Sequence, residues 1–386
     1  MIRASDDRAV RDAWESYVAV GICPTTAVRK IIFESWRRCK ETGVNAERIS
    51  APLEATDDEL HMLRDRHRNL IGAASPAMSH LSRLLEGSES IGLLCNESGV
   101  VLETVGDRPA TDRGRENHII PGANWTEDAS GTNAVGMALV LGTPVQVRAA
   151  EHFCEGVKRW SCAAVPVHDP VDGTPIGLVD ITAPDNQFSP QSALFATTAA
   201  SLIEQTLKAY EQWRRACLLE YYLDRADRLP ADGLVLLDHR ARIMRTNDNA
   251  EQTMRRLGVT VGLAPATHLT ESQSHVRSAV RLAKEHDWIE DDWLEPIYRG
   301  GEEIGLLMVI PASRVSSETV GRPATPAQGM NDGDPVLSPL QAAERDAILR
   351  AMRSEGSNLS RVARHLRISR TTLYRRLAEY AIGDDA

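Results

Sequence analysis

At 386 residues, with 42% hydrophobic and 25% charged side chains, the sequence has the composition of a soluble globular protein and the length of two or three domains. A formal charge of −10 excludes a surface that is basic overall, and no apolar run approaches the roughly 18 residues that cross a bilayer, so a cytoplasmic chain with no membrane partner is expected. The start, Met1-Ile-Arg-Ala-Ser-Asp-Asp7, has no signal-peptide core; Cys23, Cys39, Cys95, Cys154, Cys162 and Cys217 form no CxxC or paired spacing, which argues for reduced thiols and against a structural metal or other cofactor.

Two helices are expected from Asp7 to about Gly43, with Trp14, Tyr17, Ile31, Ile32, Phe33 and Trp36 as their apolar content. Thr56-Asp57-Asp58-Glu59 then caps a longer helix running through Leu60, Leu63, His67, Leu70 and Ile71, and a further helix runs from Pro76 to about Glu86. From Ser90 to about Pro184 the period becomes that of strands. Ile91–Cys95 and Val100–Thr104 flank the turn Asn96-Glu-Ser-Gly99, and Ser161–Val167 and Ile176–Ile181 flank Asp169-Pro-Val-Asp-Gly173. Antiparallel strands with helices on one side give an α+β domain. Between the hairpins, Gly122-Ala-Asn-Trp-Thr-Glu-Asp-Ala-Ser-Gly-Thr-Asn-Ala-Val-Gly136 is a loop that delivers a helix N-terminus.

That loop, with Ser35-Trp36-Arg37-Arg38-Cys39, Pro144–Val147, Glu151-His152-Phe153 and Trp160–Pro166, resembles the GAF sensor domain of acetoin-catabolism-type transcription activators, over about Ser35 to Thr206. The resemblance implies a pocket for a small organic effector on one face of the sheet. Thr132 and Asn133 can present backbone N–H groups at a helix start, Trp125 and Trp160 can wall a cavity, and Glu127 and His152 are its candidate polar contacts. Plainer roles stay open: the tryptophans as core, Thr132 and Asn133 as caps, His152 as a structural histidine. Cys95, Cys154 and Cys162 raise the alternative of a thiol-based redox sensor or enzyme, and Glu151, His152, Cys154 and Asp180 that of an iron site. Neither has the required company: a reactive cysteine needs a basic, partly exposed setting, and most strand cysteines are simply buried small hydrophobes.

A helix capped by Ser189-Pro190 continues to about Arg228; nearly forty residues is long for a globular helix, so a single break stays open, and the length suits pairing with its twin in a homodimer, although packing on its own domains explains the same stripe. Next, Gly233–Asp238 and Arg242–Arg245, a helix from Asn247, and the hairpin Trp293–Tyr298 with Glu303–Ile310 resemble a PAS domain acting as a spacer. Residues 315–336 are rich in Ser, Thr, Pro, Gly and Asp, the composition of a flexible linker.

The end of the chain encodes three short helices. Ser338-Pro339-Leu340-Gln341 opens the first, with Leu340, Ala347, Ile348, Ala351 and Met352 turned inward. Leu359, Val362, Ala363 and Leu366, then Leu373, Leu377 and Tyr380, repeat an apolar stripe on either side of a short break, with Asn358 and Ser369 at the caps. From Asn358 to Tyr380 six arginines oppose one glutamate, a net +5 that leaves about −15 on the remainder. Leu366-Arg-Ile-Ser369 followed by Arg370-Thr-Thr-Leu-Tyr-Arg-Arg-Leu377 resembles the Fis-type helix-turn-helix, which implies a second helix in the major groove of double-stranded promoter or operator DNA. By that resemblance Arg370 reads a guanine edge and Thr372 and Arg375 grip phosphates; Thr371 and Tyr374 add base contacts, and Arg361 belongs to the basic face. Arg367 departs from the family, which commonly has glycine there.

The expected architecture is therefore multidomain α+β: an N-terminal helical segment (1–65), a GAF-like effector domain (66–210), a connecting helix (211–230), a PAS-like middle domain (231–312), a flexible linker (313–337) and an all-α three-helix DNA-binding domain (338–386). The expected function is effector-controlled, sequence-specific transcription regulation, with RNA polymerase as a candidate partner. Activators of the resembled type usually hold an ATPase between sensor and tail, but no G-x-x-x-x-G-K-[ST] loop occurs in the 386 residues, so no ATP hydrolysis, and no conventional sigma-54 activation, is expected. A protein-interaction scaffold is the remaining alternative.

Overall fold

The computed structural model describes residues 7–23, 26–256 and 289–312, together with Ile348, Arg350 to Met352, Val362, His365, Leu366 and Leu373. The chain divides into two units, Met1–Arg214 and Arg215–Ala386.

The first unit opens with α1 (Asp7–Val20) and α2 (Lys30–Glu41), as the sequence predicts. Both turn aromatic faces inward, burying Trp14, Tyr17, Ile32 and Trp36. A capping box starts α3 (Asp57–Arg66): the Thr56 hydroxyl accepts from the Glu59 N–H at 3.4 Å, and the Glu59 carboxylate accepts from the Thr56 N–H at 2.9 Å. The helix does not continue through Ile71. It stops at His67, and α4 (Arg68–Leu84) runs through Pro76 instead of starting there. Leu70, Ala73, Ala74, Ala77, Met78 and Leu81 form one buried stripe across that proline, and their burial outweighs the single backbone hydrogen bond that Pro76 cannot donate.

Five strands follow: β1 (Ile91–Asn96), β2 (Val101–Gly106), β3 (Val145–Arg148), β4 (Trp160–His168) and β5 (Pro175–Pro184). They form an antiparallel sheet in the order β2-β1-β5-β4-β3. The tight β1–β2 turn is closed by the Asn96 side chain, which accepts from the N–H groups of Ser98 and Val100 at 3.1 and 2.8 Å. Three short helices, α5 (Arg108–Gly114), α6 (Glu127–Ser130) and α7 (Ala134–Leu141), lie between β2 and β3, and α8 (Pro190–Arg228) follows β5 as one unbroken helix of 39 residues.

Helices cover both faces of this sheet, not one. On the first face α1, α2 and α7 pack with Leu93, Cys95, Cys162, Ala164 and Leu178; on the second α4 and α8 pack with Leu94, Val165, Val167, Val179 and Ile181. Two buried faces explain why the strands read as near-continuous apolar runs. The strand alternation also decides a polar residue. Val179 and Ile181 belong to the second face, so Asp180 between them faces the first.

In the second unit β6 (Gly233–Asp238), β7 (Ile243–Thr246), α9 (Asp248–Arg256), β8 (Leu294–Arg299) and β9 (Glu302–Ile310) build an antiparallel sheet ordered β7-β6-β9-β8. Leu218 and Tyr222 pack on one face with Leu234, Leu236 and Leu307, while Ala250 and Met254 pack with Val235, Leu237, Met308 and Ile310 on the other. Towards the C-terminus Ile348, Ala351, Met352, Val362 and Leu373 are helical and buried, all at positions that the sequence assigns to inward faces. The linker 313–337 and the expected DNA contacts Arg361, Arg370, Thr371, Thr372, Tyr374 and Arg375 lie outside the described residues.

Candidate functional site

On the first face of the five-stranded sheet lies a small cavity. Its floor is Leu93 from β1, Cys162 from β4, and Asp180 and Thr182 from β5; Trp125, Asn133, Ala134, Val135, His152, Val157, Trp160 and Ile119 form the walls. Four of the six expected effector contacts therefore converge, Trp125, Asn133, His152 and Trp160, joined by Cys162 and Asp180, which the sequence offered only as thiol and iron-site candidates. Glu127 and Thr132 are buried but are not among the lining residues.

Each of the four is placed by a local bond. Asn133 caps α7, its Oδ1 accepting from the Gly136 N–H at 2.9 Å, while its Nδ2 donates to the Trp125 and Gly131 carbonyls at 2.9 and 2.8 Å. Those bonds saturate Asn133 and fix the Trp125 backbone beside it. Trp160 donates its indole N–H to Asn117 Oδ1 at 2.8 Å, and the Asn117 Nδ2 in turn donates to the Ile49 and Gly156 carbonyls at 2.6 and 2.9 Å. His152 is buried, and loss of hydration pushes its pKa down to about 4, so the ring is neutral at physiological pH. Its Nδ1 lies 3.0 Å from the Ala149 carbonyl, which can only accept; Nδ1 therefore carries the proton, and Nε2 presents a lone pair to the Cys162 thiol at 3.5 Å.

Two polar atoms of the lining have no hydrogen-bond partner among the described residues: the indole nitrogen of Trp125 and Oδ1 of Asp180. Leaving such a group unpaired costs on the order of 1–3 kcal/mol. The other Asp180 oxygen accepts from the Thr182 hydroxyl at 2.5 Å, and burial raises the carboxyl pKa to about 7. The sequence offered Asp180 only as a candidate iron ligand, a carboxylate inside an apolar run. Nothing in its spacing indicates which face it takes.

Glu127 and Thr132 belong to a second layer that ties α2 to the cavity walls. Arg38 donates to Glu127 through Nε at 2.7 Å and Nη2 at 2.8 Å; the Ser35 hydroxyl donates to Glu127 Oε1 at 2.5 Å and lies 2.7 Å from the Thr132 hydroxyl. On the other side Arg29 binds Glu151 through Nε at 2.6 Å and Nη2 at 2.5 Å, and Trp36 donates to the Glu151 carbonyl at 2.7 Å. Both partners of α2 sit next to lining residues, Glu127 close to Trp125 and Glu151 adjacent to His152. Behind His152, Lys158 is buried with its ammonium 3.8 Å from the centroid of the Trp14 ring, donating to the His152 and Ala150 carbonyls at 2.6 and 3.0 Å. Burial pushes its pKa down to about 7.

The residues that suggested an iron site converge only in part: His152 and Asp180 line the cavity, Glu151 and Cys154 do not. Glu151 pairs with Arg29, the Cys154 thiol lies 3.5 Å from the Asn45 carbonyl, and no group of three His, Cys, Asp or Glu side chains suited to a metal occurs among the described residues. The buried thiols of Cys95, Cys154 and Cys162 are all pushed up in pKa by desolvation, Cys154 to about 12, the reverse of what a reactive thiolate needs.

Comparison with known proteins places these features. A family profile described as "MimR, N-terminal domain" matches residues 6–205, and one described as "Bacterial regulatory protein, Fis family" matches residues 339–380. The chain is 32% identical over 213 residues to the acetoin dehydrogenase operon transcriptional activator AcoR of Bacillus subtilis, covering 55% of this chain and 35% of that protein. It is 26% identical over 272 residues to the propane 2-monooxygenase operon transcriptional activator MimR of Mycolicibacterium smegmatis, covering 64% of this chain and 46% of that one. The chain thus spans less than half the length of these curated relatives. Among solved structures, the Escherichia coli DhaR(N)–DhaL complex superposes with a TM-score of 0.49 at 16% identity, covering 73% of this chain and 99% of that one.

Proposed function

The chain belongs to the family of the MimR N-terminal domain, and on that footing we propose that it is a sequence-specific DNA-binding transcription regulator controlled by a small effector in its first unit. The observation that carries the effector half is the small cavity with two unpaired polar atoms in its lining, inside the region matched to a transcription activator. The DNA half rests on the Fis-family match over residues 339–380, which coincides with the net +5 stretch of the sequence.

Trp125, Asn133, His152 and Trp160 are the proposed effector contacts, with Glu127 and Thr132 holding α2 against the wall they form. Residues 1–65 form an N-terminal helical segment and residues 66–210 sense. Residues 211–230 connect, a PAS-like region over 231–312 spaces, 313–337 link, and 338–386 bind the duplex. A homodimer on a palindromic site, with half-sites about one helical turn apart, matches this reading, with RNA polymerase as the partner that responds. Control is a population shift, which requires the effector to bind the two DNA-binding states with different affinity. ATP hydrolysis is no part of it.

Retention of the purified chain on its own promoter fragment, measured against salt, is the test. Phosphate contacts give a steep fall in log affinity with log salt, close to one unit of slope per neutralised phosphate. A chain that shows no preference for DNA over a neutral polymer at low ionic strength overturns the proposal.

A further inference from the structure

We infer that α1 is a releasable latch on the turn 148–153. Docked, it holds that turn in a strained conformation that sets His152 in the cavity wall; released, it lets the turn relax and His152 withdraw. What the latch controls rests on the effector-site reading above, but its test needs no ligand, so the two fail separately.

The strain is at Ala149, whose φ of 32° lies on the left-handed side that a residue with a Cβ seldom adopts. Its carbonyl receives the His152 Nδ1–H at 3.0 Å, so the strained backbone and the orientation of the ring form one arrangement. A turn keeps such a conformation only where its surroundings impose it. From Ala150 to Phe153 four consecutive carbonyls accept from side chains outside the turn. Lys158 Nζ donates to Ala150 and His152 at 3.0 and 2.6 Å, the Trp36 indole to Glu151 at 2.7 Å, and the Trp14 indole to Phe153 at 2.9 Å. The N–H groups are held likewise, that of Ala149 by Ser161 Oγ at 3.1 Å and that of Ala150 by Asp7 Oδ1 at 3.0 Å.

These ties differ in how easily they part. Those from α2 are buried and doubled: Trp36 is fully buried, and Arg38 also anchors the helix to Glu127. The ties from α1 sit at an edge. Asp7, Arg11 and Trp14, spaced i, i+4 and i+7 on one face of the helix, reach Ala150, Glu155 and Phe153. Asp7 is exposed, and the side chains of the Arg11–Glu155 pair, 3.2 Å apart, are 41 and 43% exposed, so water competes for both. Trp14 also covers the Lys158 ammonium, 3.8 Å from its ring centroid, and lifting α1 hydrates that buried charge. One movement thus relieves two costly features, the backbone at Ala149 and the ammonium of Lys158. The apolar face of α1, Val10, Ala13, Trp14 and Tyr17, opposes it together with the three ties. Opposed terms of this kind make an element with two states.

The test uses the full chain and two readouts mapped by mass spectrometry: hydrogen exchange of the amides over 149–153, and carbethoxylation of His152 by diethyl pyrocarbonate. Asp7→Ala removes an exposed tie, and Trp14→Phe removes the indole donor while keeping a ring beside Lys158. Each should raise both readouts about tenfold, the effect of losing one hydrogen bond, while the amides of β1 and β5 keep the parent rate. Glycine adopts the backbone of Ala149 without strain, so Ala149→Gly added to Trp14→Phe should bring both readouts down again several-fold. Labelling of His152 that is unchanged in both single variants overturns the latch. So does a rise shared equally by β1 and β5, which would mean that the whole sheet opens, and so does an Ala149→Gly variant that slows neither readout.

Discussion

Arg38 grips Glu127 at two points, Nε to Oε2 at 2.7 Å and Nη2 to Oε1 at 2.8 Å, and so joins α2 to the loop that carries Trp125 and Asn133. Only 5% of the Glu127 side chain is exposed, against 33% for Arg38. The two halves of the pair are therefore unequal. Arg38→Ala leaves a buried carboxylate with little more than the Ser35 hydroxyl and costs about 3–5 kcal/mol. Glu127→Gln costs less, because the stranded guanidinium turns to water. Urea denaturation of the two variants measures the difference; equal losses would contradict it.

The second prediction concerns pH and Asp180. Its folded pKa of about 7 stands above the ordinary carboxyl value of 3.8, so as pH rises the unfolded chain gives up this proton first. Stability from this group is full below about pH 4, declines up to about pH 7 and is level beyond, a total on the order of 4 kcal/mol. Asp180→Asn cannot titrate. The stability gap between variant and parent should widen in the variant's favour between about pH 5 and about pH 8. Denaturation midpoints at the two values check this, and a constant gap refutes it.

Gly136 is the tightest point in the docking of α7. A Cβ there would lie 2.6 Å from the Glu127 backbone nitrogen and 3.0 Å from the Trp125 carbonyl oxygen, and neither backbone atom can swing aside as a side chain would. Gly136→Ala should therefore destabilise the first unit by about 1–3 kcal/mol or more and push Ala134 and Val135 out of the cavity wall. Thermal melting gives the first effect. A change in the native tryptophan fluorescence, to which Trp125 and Trp160 of the cavity wall contribute, gives the second.

The cysteines divide by burial. Cys23 and Cys217 are partly exposed, whereas Cys39, Cys95, Cys154 and Cys162 are buried. Desolvation raises Cys39 to about 11 and Cys154 to about 12, so few thiolates exist at neutral pH. In the native protein iodoacetamide should label Cys23 and Cys217 first, as mass spectrometry of digests would record. Rapid labelling of Cys162 would reopen the thiol-based reading.

In the DNA-binding segment the two arginines assigned to different tasks should separate. Arg370→Ala is expected to relax sequence choice by about 1–3 kcal/mol at one base position, while Arg375→Ala weakens all sites alike and lowers the salt slope by about one. Binding to an operator and to point-substituted operators at several salt concentrations distinguishes them. Identical behaviour means the roles are wrongly assigned.

Much of the local structure was legible because its signals are short-range. The Thr56 capping box, the turns at Asn96 and Asp169, the start of α8 at Pro190 and the inward positions Ile348, Val362 and Leu373 each follow from neighbours within a few residues. Where local and long-range terms compete, the prediction failed. Pro76 reads as a helix start, yet six buried residues around it keep α4 continuous.

The candidate site divides along the same line. Its tryptophans, Asn133 and His152 stand out by residue type, but Asp180 and Thr182 reach the cavity only because the β4–β5 register sets them opposite Ala164 and Cys162 on the first face. By itself the sequence determined the element types, the two hairpins, the caps and the terminal segment with its net positive charge, since periodicity and capping are written in adjacent residues. Only the tertiary structure decided that helices cover both faces, that Glu127 serves α2 rather than the cavity, and which two polar atoms are left unpaired there. Those outcomes depend on partners far apart in the chain, Arg38 to Glu127 and Leu93 to Asp180 among them, and no local pattern encodes which distant residue arrives opposite.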